Sequence, residues 1–281
     1  MIELDPGIDL VDPVVIAAFE GWNDAGDAAT SLVDHLIRTW DAEVVGAIDP
    51  DTYYDFQVNR PLVGIDSRGH RRLTWPTARI LVASPPDLAR DVVLVRGPEP
   101  NMRWRAFCDE LLEAFDTLGA SLVVTLGAML TESPHSRPIP VRGSATEPEL
   151  LDRLRLDESA YEGPTGIVGV LQDLCVREDV PAVSYWAAVP HYVAQPPCPK
   201  ATLALLGHVE DLLQTRIDLG DLPEQAASWE KAVDDMAAED EEIADYVRSL
   251  EETRDTTDRP EASGEAIAAE FERFLEQGTD D

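Results

Sequence analysis

Glu20 and Asp24 stand close together in the run Phe19-Glu20-Gly21-Trp22-Asn23-Asp24-Ala25-Gly26-Asp27. Two carboxylates at that spacing could pass a proton or hold a divalent cation. The competing reading is structural: Asn23 or Asp24 caps the free N–H groups of a following helix, and Glu20 is one solvated acid among the 55 in the chain. His135 and His191 with Glu132 would supply two imidazoles and a carboxylate to a metal, but their spacing is not that of a metal motif. Arg96 and Arg103 flank Gly97-Pro98-Glu99-Pro100. Their guanidiniums could grip a phosphate or a carboxylate, or else pair with Glu99 or Glu110. Tyr192 and Gln195 add polar groups beside His191.

Nucleophilic catalysis finds no support. There is no Gly-x-Ser-x-Gly elbow, and His191 is separated from Cys198 by prolines 196 and 197. Gly163-Pro164-Thr165-Gly166-Ile167-Val168-Gly169 opens a helix that could hold an anion at its N-terminus, yet it lacks the Lys-Ser/Thr of a phosphate-binding loop. Close helix–sheet packing explains Gly166 and Gly169 more simply. The candidate ligand-binding set is therefore Glu20, Trp22, Asn23, Asp24, Arg96, Glu99, Arg103, Glu132, His135, His191 and Tyr192. No catalytic residue is assigned, and no metal or cofactor is expected.

These residues need a scaffold that brings them together. Val14-Val15-Ile16-Ala17-Ala18-Phe19 reads as a strand buried on both faces, and Ala25, Ala29, Leu32, Val33, Leu36, Ile37 and Trp40 form the apolar stripe of the helix after it. Further strands are expected at 43–48, 78–83, 91–95, 121–126, 139–142 and 182–187. Helices are expected at 102–118, 147–155, 166–178 and 200–217. Strand 121–126 should stop at Gly127, residues 51–56 should be a loop, and prolines 190, 196 and 197 should make 189–197 irregular. This alternation predicts an α/β fold, a mainly parallel sheet flanked by helices. Ligands of such sheets bind beyond the carboxyl ends of the strands, which gathers loops 20–24, 96–103, 127–137 and 188–197 at one rim.

Residues 62–65 and 71–75 flank a turn-rich gap, so 61–76 should be a hairpin projecting from the sheet. It is either a contact between copies of the chain or a plain surface flap. Composition changes near 218–223, and the expected organisation is a core domain over 1–220 with an acidic helical hairpin over 221–281. Trp229, Val233, Met236, Ile243, Val247 and Leu250 follow a heptad stripe in which Asp240 takes one apolar place. A single helix over 224–253 would be roughly 45 Å long. Ile267, Phe271, Phe274 and Leu275 mark a shorter second helix. The appendage could pack on its own core, meet a partner helix, or act as a mobile lid.

The formal net charge of −33 repels nucleic acid and anionic membranes and suits a basic protein partner or a cation. Residues 221–281 hold 21 acids and 5 bases, a net of −16. Three scattered cysteines, the lack of a signal-peptide pattern at the start, and no apolar run near ~20 residues point to a soluble cytoplasmic protein with reduced thiols.

Three runs carry a family resemblance: FEGWNDAGDAATSLVDHL (19–36), GPTGIVGVLQDL (163–174) and SYWAAVPHYVAQPPCPKATLALL (184–206). They resemble the proteasome assembly chaperone 2-like family in its actinobacterial form, over roughly 14–217. The pattern matches Gly21, Trp22, Asp24, Ala25 and Gly26, then Pro164, Thr165, Gly166 and Gly169, then Pro190, His191, Tyr192 and Pro196. The resemblance implies a core similar to that of purine nucleoside phosphorylases, a homo-oligomer (a trimer is one form), and proteasome subunits as partners. It implies no catalytic residue, and the acidic C-terminal helices are not part of its pattern. Two functions follow. One is an oligomeric, assembly-chaperone-like binding factor. The alternative is a hydrolase or phosphorylase-type enzyme whose strand-end cleft binds a small anionic or nucleoside-like ligand under the C-terminal helices.

Overall fold

The computed structural model of the chain describes residues 2, 4–156, 159, 161–193 and 195–257. Seven strands form one sheet in the order β2 (Glu43–Ala47), β5 (Arg79–Ala83), β6 (Val92–Pro98), β1 (Val14–Glu20), β7 (Leu122–Thr131), β9 (Ala182–Pro190) and β8 (Val141–Ala145). Strands β6, β1, β7 and β9 are parallel neighbours, while β5 and β8 run against them and β2 pairs antiparallel with β5. Five of the seven strands therefore point the same way, and the α/β class with a mainly parallel sheet holds.

β1 is central because its sequence offers nothing to water: residues 14–19 are fully buried. Val14, Ile16 and Ala18 face one apolar layer, formed with α1 (Ala28–Thr39) and α6 (Pro199–Leu213). Val15, Ala17 and Phe19 face the other, formed with α3 (Trp104–Thr117) and α5 (Ile167–Arg177). The period-2 alternation of a strand thus feeds two cores at once.

Four expectations need correction. Residues 51–56 are not wholly a loop: α2 (Pro50–Tyr53) forms there, its first turn capped by Asp49 accepting from the Asp51 N–H. β7 does not stop at Gly127 but runs to Thr131, because that glycine makes room for a ring: a Cβ there would lie 2.7 Å from Trp186. β9 runs through Val189 to Pro190. On its far side β8 pairs only as far as Ala187, so a proline at the end of β9 withholds no N–H from that neighbour. The long C-terminal helix is two helices, α7 (Leu222–Ala238) and α8 (Glu241–Thr257). Asp240, the polar gap in the heptad stripe, caps α8 by accepting from the Glu242 N–H at 2.9 Å.

The hairpin of β3 (Leu62–Ile65) and β4 (Arg71–Thr74) stands apart from the main sheet, and all eight of its strand residues are exposed. α4 (Pro148–Leu154) closes the β8 edge. α7 packs on α6, and its Leu222, Ala226, Val233 and Ala237 are buried. The second C-terminal helix expected around Ile267, Phe271, Phe274 and Leu275 lies outside the described residues.

Candidate functional site

The four parallel strands end on one rim, and the candidate residues fall there in two groups. In the first, Arg96 at the end of β6 grips Asp34 of α1 with one edge of its guanidinium, Nε donating to Oδ1 at 2.9 Å and Nη2 to Oδ2 at 3.1 Å. Its Nη1 also donates to Glu20 at the end of β1. Burial works against the Arg96 charge, but Asp34 and then Glu20 outweigh it and raise its pKa. Arg96 is thus held by two carboxylates, Asp34 and Glu20, and not by Glu99 or Glu110. Arg103 lies apart, its guanidinium 5.8 Å from the centre of the Tyr53 ring, with its backbone in the left-handed region.

Glu99 instead closes a seam. Its Oε1 accepts from Asn23 Nδ2 at 2.7 Å and from the Ile167 N–H, the first of α5, at 2.9 Å. The helix N-terminus opened by Gly163–Gly166 is thus served by the chain's own carboxylate. Asn23 is fully buried; its Oδ1 has no hydrogen-bond partner and would lie 2.1 Å from a Cβ on residue 166. Asp24 is the cap predicted from sequence, and it acts from beyond a short 3-10 turn over Ala25–Asp27. Its Oδ1 accepts from Ala29 N at 2.7 Å and from Thr30 N at 3.3 Å, and its Oδ2 accepts from the Thr30 hydroxyl. Burial raises its pKa to about 6.

The second group forms where β7 and β9 end. His135 is buried, with Nδ1 2.7 Å from the Tyr192 hydroxyl and Nε2 3.0 Å from Asp234 Oδ1 on α7. Lys200 ties the same loop to α7, donating to the His135 carbonyl and to Glu230. His191 and Tyr192 stack edge-on against Tyr246 of α8, at ring distances of 5.6 and 6.0 Å. Burial raises the Tyr192 hydroxyl to about 12. Glu132 is exposed beside this group, and Trp22 is exposed on the loop after β1.

The two groups share no hydrogen bond among the described residues, so Arg96 and Arg103 do not join Glu132, His135 and His191 in one network. Among those residues no cluster of three or more His, Cys, Asp or Glu side chains could hold a metal ion, and no helix is long and apolar enough to cross a membrane. All three cysteines are buried and free. A groove of about 550 Å³ lies on the Arg96 side, where Trp75 at the hairpin root, Asp34 and Ile37 of α1, and Arg79 and Leu81 of β5 meet. Asp34, Asp234 and Tyr246 were absent from the sequence-derived set. Only Tyr246 left a trace there, next to Val247 in the apolar stripe of α8.

A family model described as the PAC2 family matches residues 18–237. The chain belongs to the PAC2 family. The crystal structure of a PAC2 family protein from Streptomyces avermitilis MA is 57% identical, with a TM-score of 0.78 over 84% of this chain and 100% of that one. That of a Mycobacterium tuberculosis proteasome-assembly chaperone homologue is 54% identical, with a TM-score of 0.76 over 83% of this chain and 99% of that one. An archaeal proteasome activator from Pyrococcus furiosus, 18% identical with a TM-score of 0.68, shares the fold over 84% of this chain and 98% of its own. Comparison with curated proteins finds no match. The PAC2 match ends inside α7, so α8 and its contacts with Tyr192 and His191 lie beyond it.

Proposed function

We propose that the chain is an oligomeric, protein-binding factor of assembly-chaperone type, working in the cytoplasm with a proteasomal protein as its partner. The observation that carries this reading is the 54% identity, over 83% of the chain, to a protein described as a proteasome-assembly chaperone homologue. Two features of the surface agree with it. A net charge of −33 suits a partner with a basic face. The hairpin over 61–76 exposes Leu62 at 70%, Ile65 at 78% and Trp75 at 44%, and an isolated two-stranded ribbon is marginal in water without something to cover it. A second copy of the chain fits there, because Arg68, Arg71 and Arg72 make this ribbon basic in an otherwise acidic protein. The strand-end polar groups then serve to hold loops in place rather than to turn over a substrate.

The test mixes the purified chain with purified proteasome α and β subunits from the same host, followed by native mass spectrometry and by the rate at which peptidase activity appears. A complex of the chain with α subunits and a changed rate of core-particle formation are expected. If the chain neither binds an α subunit at micromolar concentration nor alters that rate, the proteasomal reading falls.

A further inference from the structure

Arg79 and Arg96 stand directly opposite one another on the antiparallel pair β5 and β6. Their side chains leave the same face of the sheet, and like charges so placed repel. Arg96 is neutralised by Asp34 and Glu20. Arg79 has no hydrogen bond or ion pair among the described residues, in a chain with 55 acids against 22 lysines and arginines. Arg60, exposed and likewise without a partner among those residues, enters the same groove from the loop before β3. Much of the remaining wall is apolar. Trp75, its ring 4.8 Å from that of Phe56, is 44% exposed, and Ile37, Leu62 and Leu81 line the space beside it. A volume of about 550 Å³ is that of a small-molecule site.

The hairpin turns only one of its faces to this groove. Leu62 and Thr74, cross-strand partners, line it, and the period-2 alternation sends Val63, Ile65 and Leu73 to the other side. The surface read above as a contact between copies is therefore a different one.

We propose that the groove binds a small aromatic anion, its phosphate or carboxylate held by Arg79 and Arg60 and its ring lying on Trp75. The planar fork of arginine takes such an anion through two parallel N–H···O bonds. Arg96 does not bind the ligand; it keeps Asp34 and Glu20 from facing the anion as uncompensated charges. The bound molecule touches the hairpin root and the sheet edge together, so it braces a ribbon that pairs with no strand of the main sheet. The site is independent of the proteasomal reading, and either can fail alone.

The probe is 1-naphthyl phosphate, measured by calorimetry on the full chain, with 1-naphthoate, 1-naphthol and inorganic phosphate beside it. The naphthyl phosphate is expected to bind with a Kd below about 1 mM, and naphthol and inorganic phosphate at least about tenfold more weakly. The tighter of the naphthyl phosphate and the naphthoate names the anionic group. Arg79→Ala and Arg60→Ala should each weaken the naphthyl anion by about tenfold. Trp75→Ala should weaken it too while leaving inorganic phosphate unaffected. Ile65→Ser with Leu73→Ser, on the other face of the ribbon, should bind it as the parent does. Hydrogen exchange of residues 62–74 should slow when the ligand is added. Should Trp75→Ala misfold, the two arginine variants, both at exposed positions, carry the comparison. The proposal is overturned if neither naphthyl anion binds at about 1 mM, or if binding is the same in the Arg79→Ala and Arg60→Ala chains as in the parent.

Discussion

His135 Nε2 lies 3.0 Å from Asp234 Oδ1, so a loop at the end of the sheet is joined to a helix 99 residues further along the chain. The partners fix which nitrogen carries the proton. The Asp234 carboxylate can only accept, so Nε2 of the neutral ring is the donor to it and Nδ1 accepts from the Tyr192 hydroxyl, which itself accepts from the His135 backbone N–H at 2.8 Å. His135 is a positioning residue, locked by both sides of its ring and by Trp229 edge-on at 6.5 Å.

His135→Ala should therefore lower stability by about 2–4 kcal/mol, from the cavity and from the Tyr192 O–H left without its acceptor. Asp234→Asn, which keeps an acceptor for the Nε2 proton, should cost less than about 1 kcal/mol. Urea unfolding of the two variants checks the order. Equal losses would mean that the imidazole packs without using its hydrogen bonds.

Gly166 faces the fully buried Asn23, and a Cβ there would sit 2.1 Å from Asn23 Oδ1. Gly166→Ala should cost about 1–3 kcal/mol by overpacking. With Asn23→Ala already made, the clash is gone and the added methyl should cost less than about 0.5 kcal/mol. A double-mutant cycle by chemical denaturation reads the coupling directly. Simple additivity of the two changes would show that the loop and the start of α5 are not packed as described.

The scaffold was more legible in the sequence than the site, for reasons that sit in particular residues. The run Val14–Phe19 is apolar at every position, so its burial on both faces could be read without knowing its neighbours. Gly127 misled because its reason is the Trp186 ring on the adjacent strand, a contact that no local pattern announces. Asp240 was visible as a gap in the heptad stripe, but only its cap on Glu242 makes it the break between two helices. The shared rim followed from strand–helix alternation alone. Its pairings did not, since Asp34 lies 62 residues before Arg96 on the polar face of a helix, where any acid would look alike.

Ile65 and Leu73 are exposed on a ribbon that carries Arg71 and Arg72, so the hairpin can be tested without disturbing the core. Ile65→Ser with Leu73→Ser should shift the sedimentation profile toward the monomer, and Arg71→Glu with Arg72→Glu should do so more strongly at low salt than at high salt. Unfolding free energy of the monomeric form should stay within about 0.5 kcal/mol of the parent, since these are surface changes. An unchanged oligomer distribution in both variants would remove the hairpin as the contact between copies.

Asp24 gives the pH dependence a definite sign. Burial raises its carboxyl from the ordinary 3.8 to about 6, against the pull of Thr30 and the Ala29 N–H. Between those values the folded chain binds a proton that the unfolded chain has lost, so this group's contribution is full below about pH 4 and is withdrawn as pH rises through 6. The withdrawal amounts to about 3 kcal/mol. Asp24→Asn keeps an acceptor for the Ala29 and Thr30 N–H groups and cannot ionise. The stability of that variant relative to the parent should therefore improve as pH goes from 4 to 7 and stay constant above it. Urea midpoints of the two proteins across that range decide the matter: a difference that does not change with pH would mean that the carboxylate stays ionised in the fold throughout, its three donors outweighing its burial.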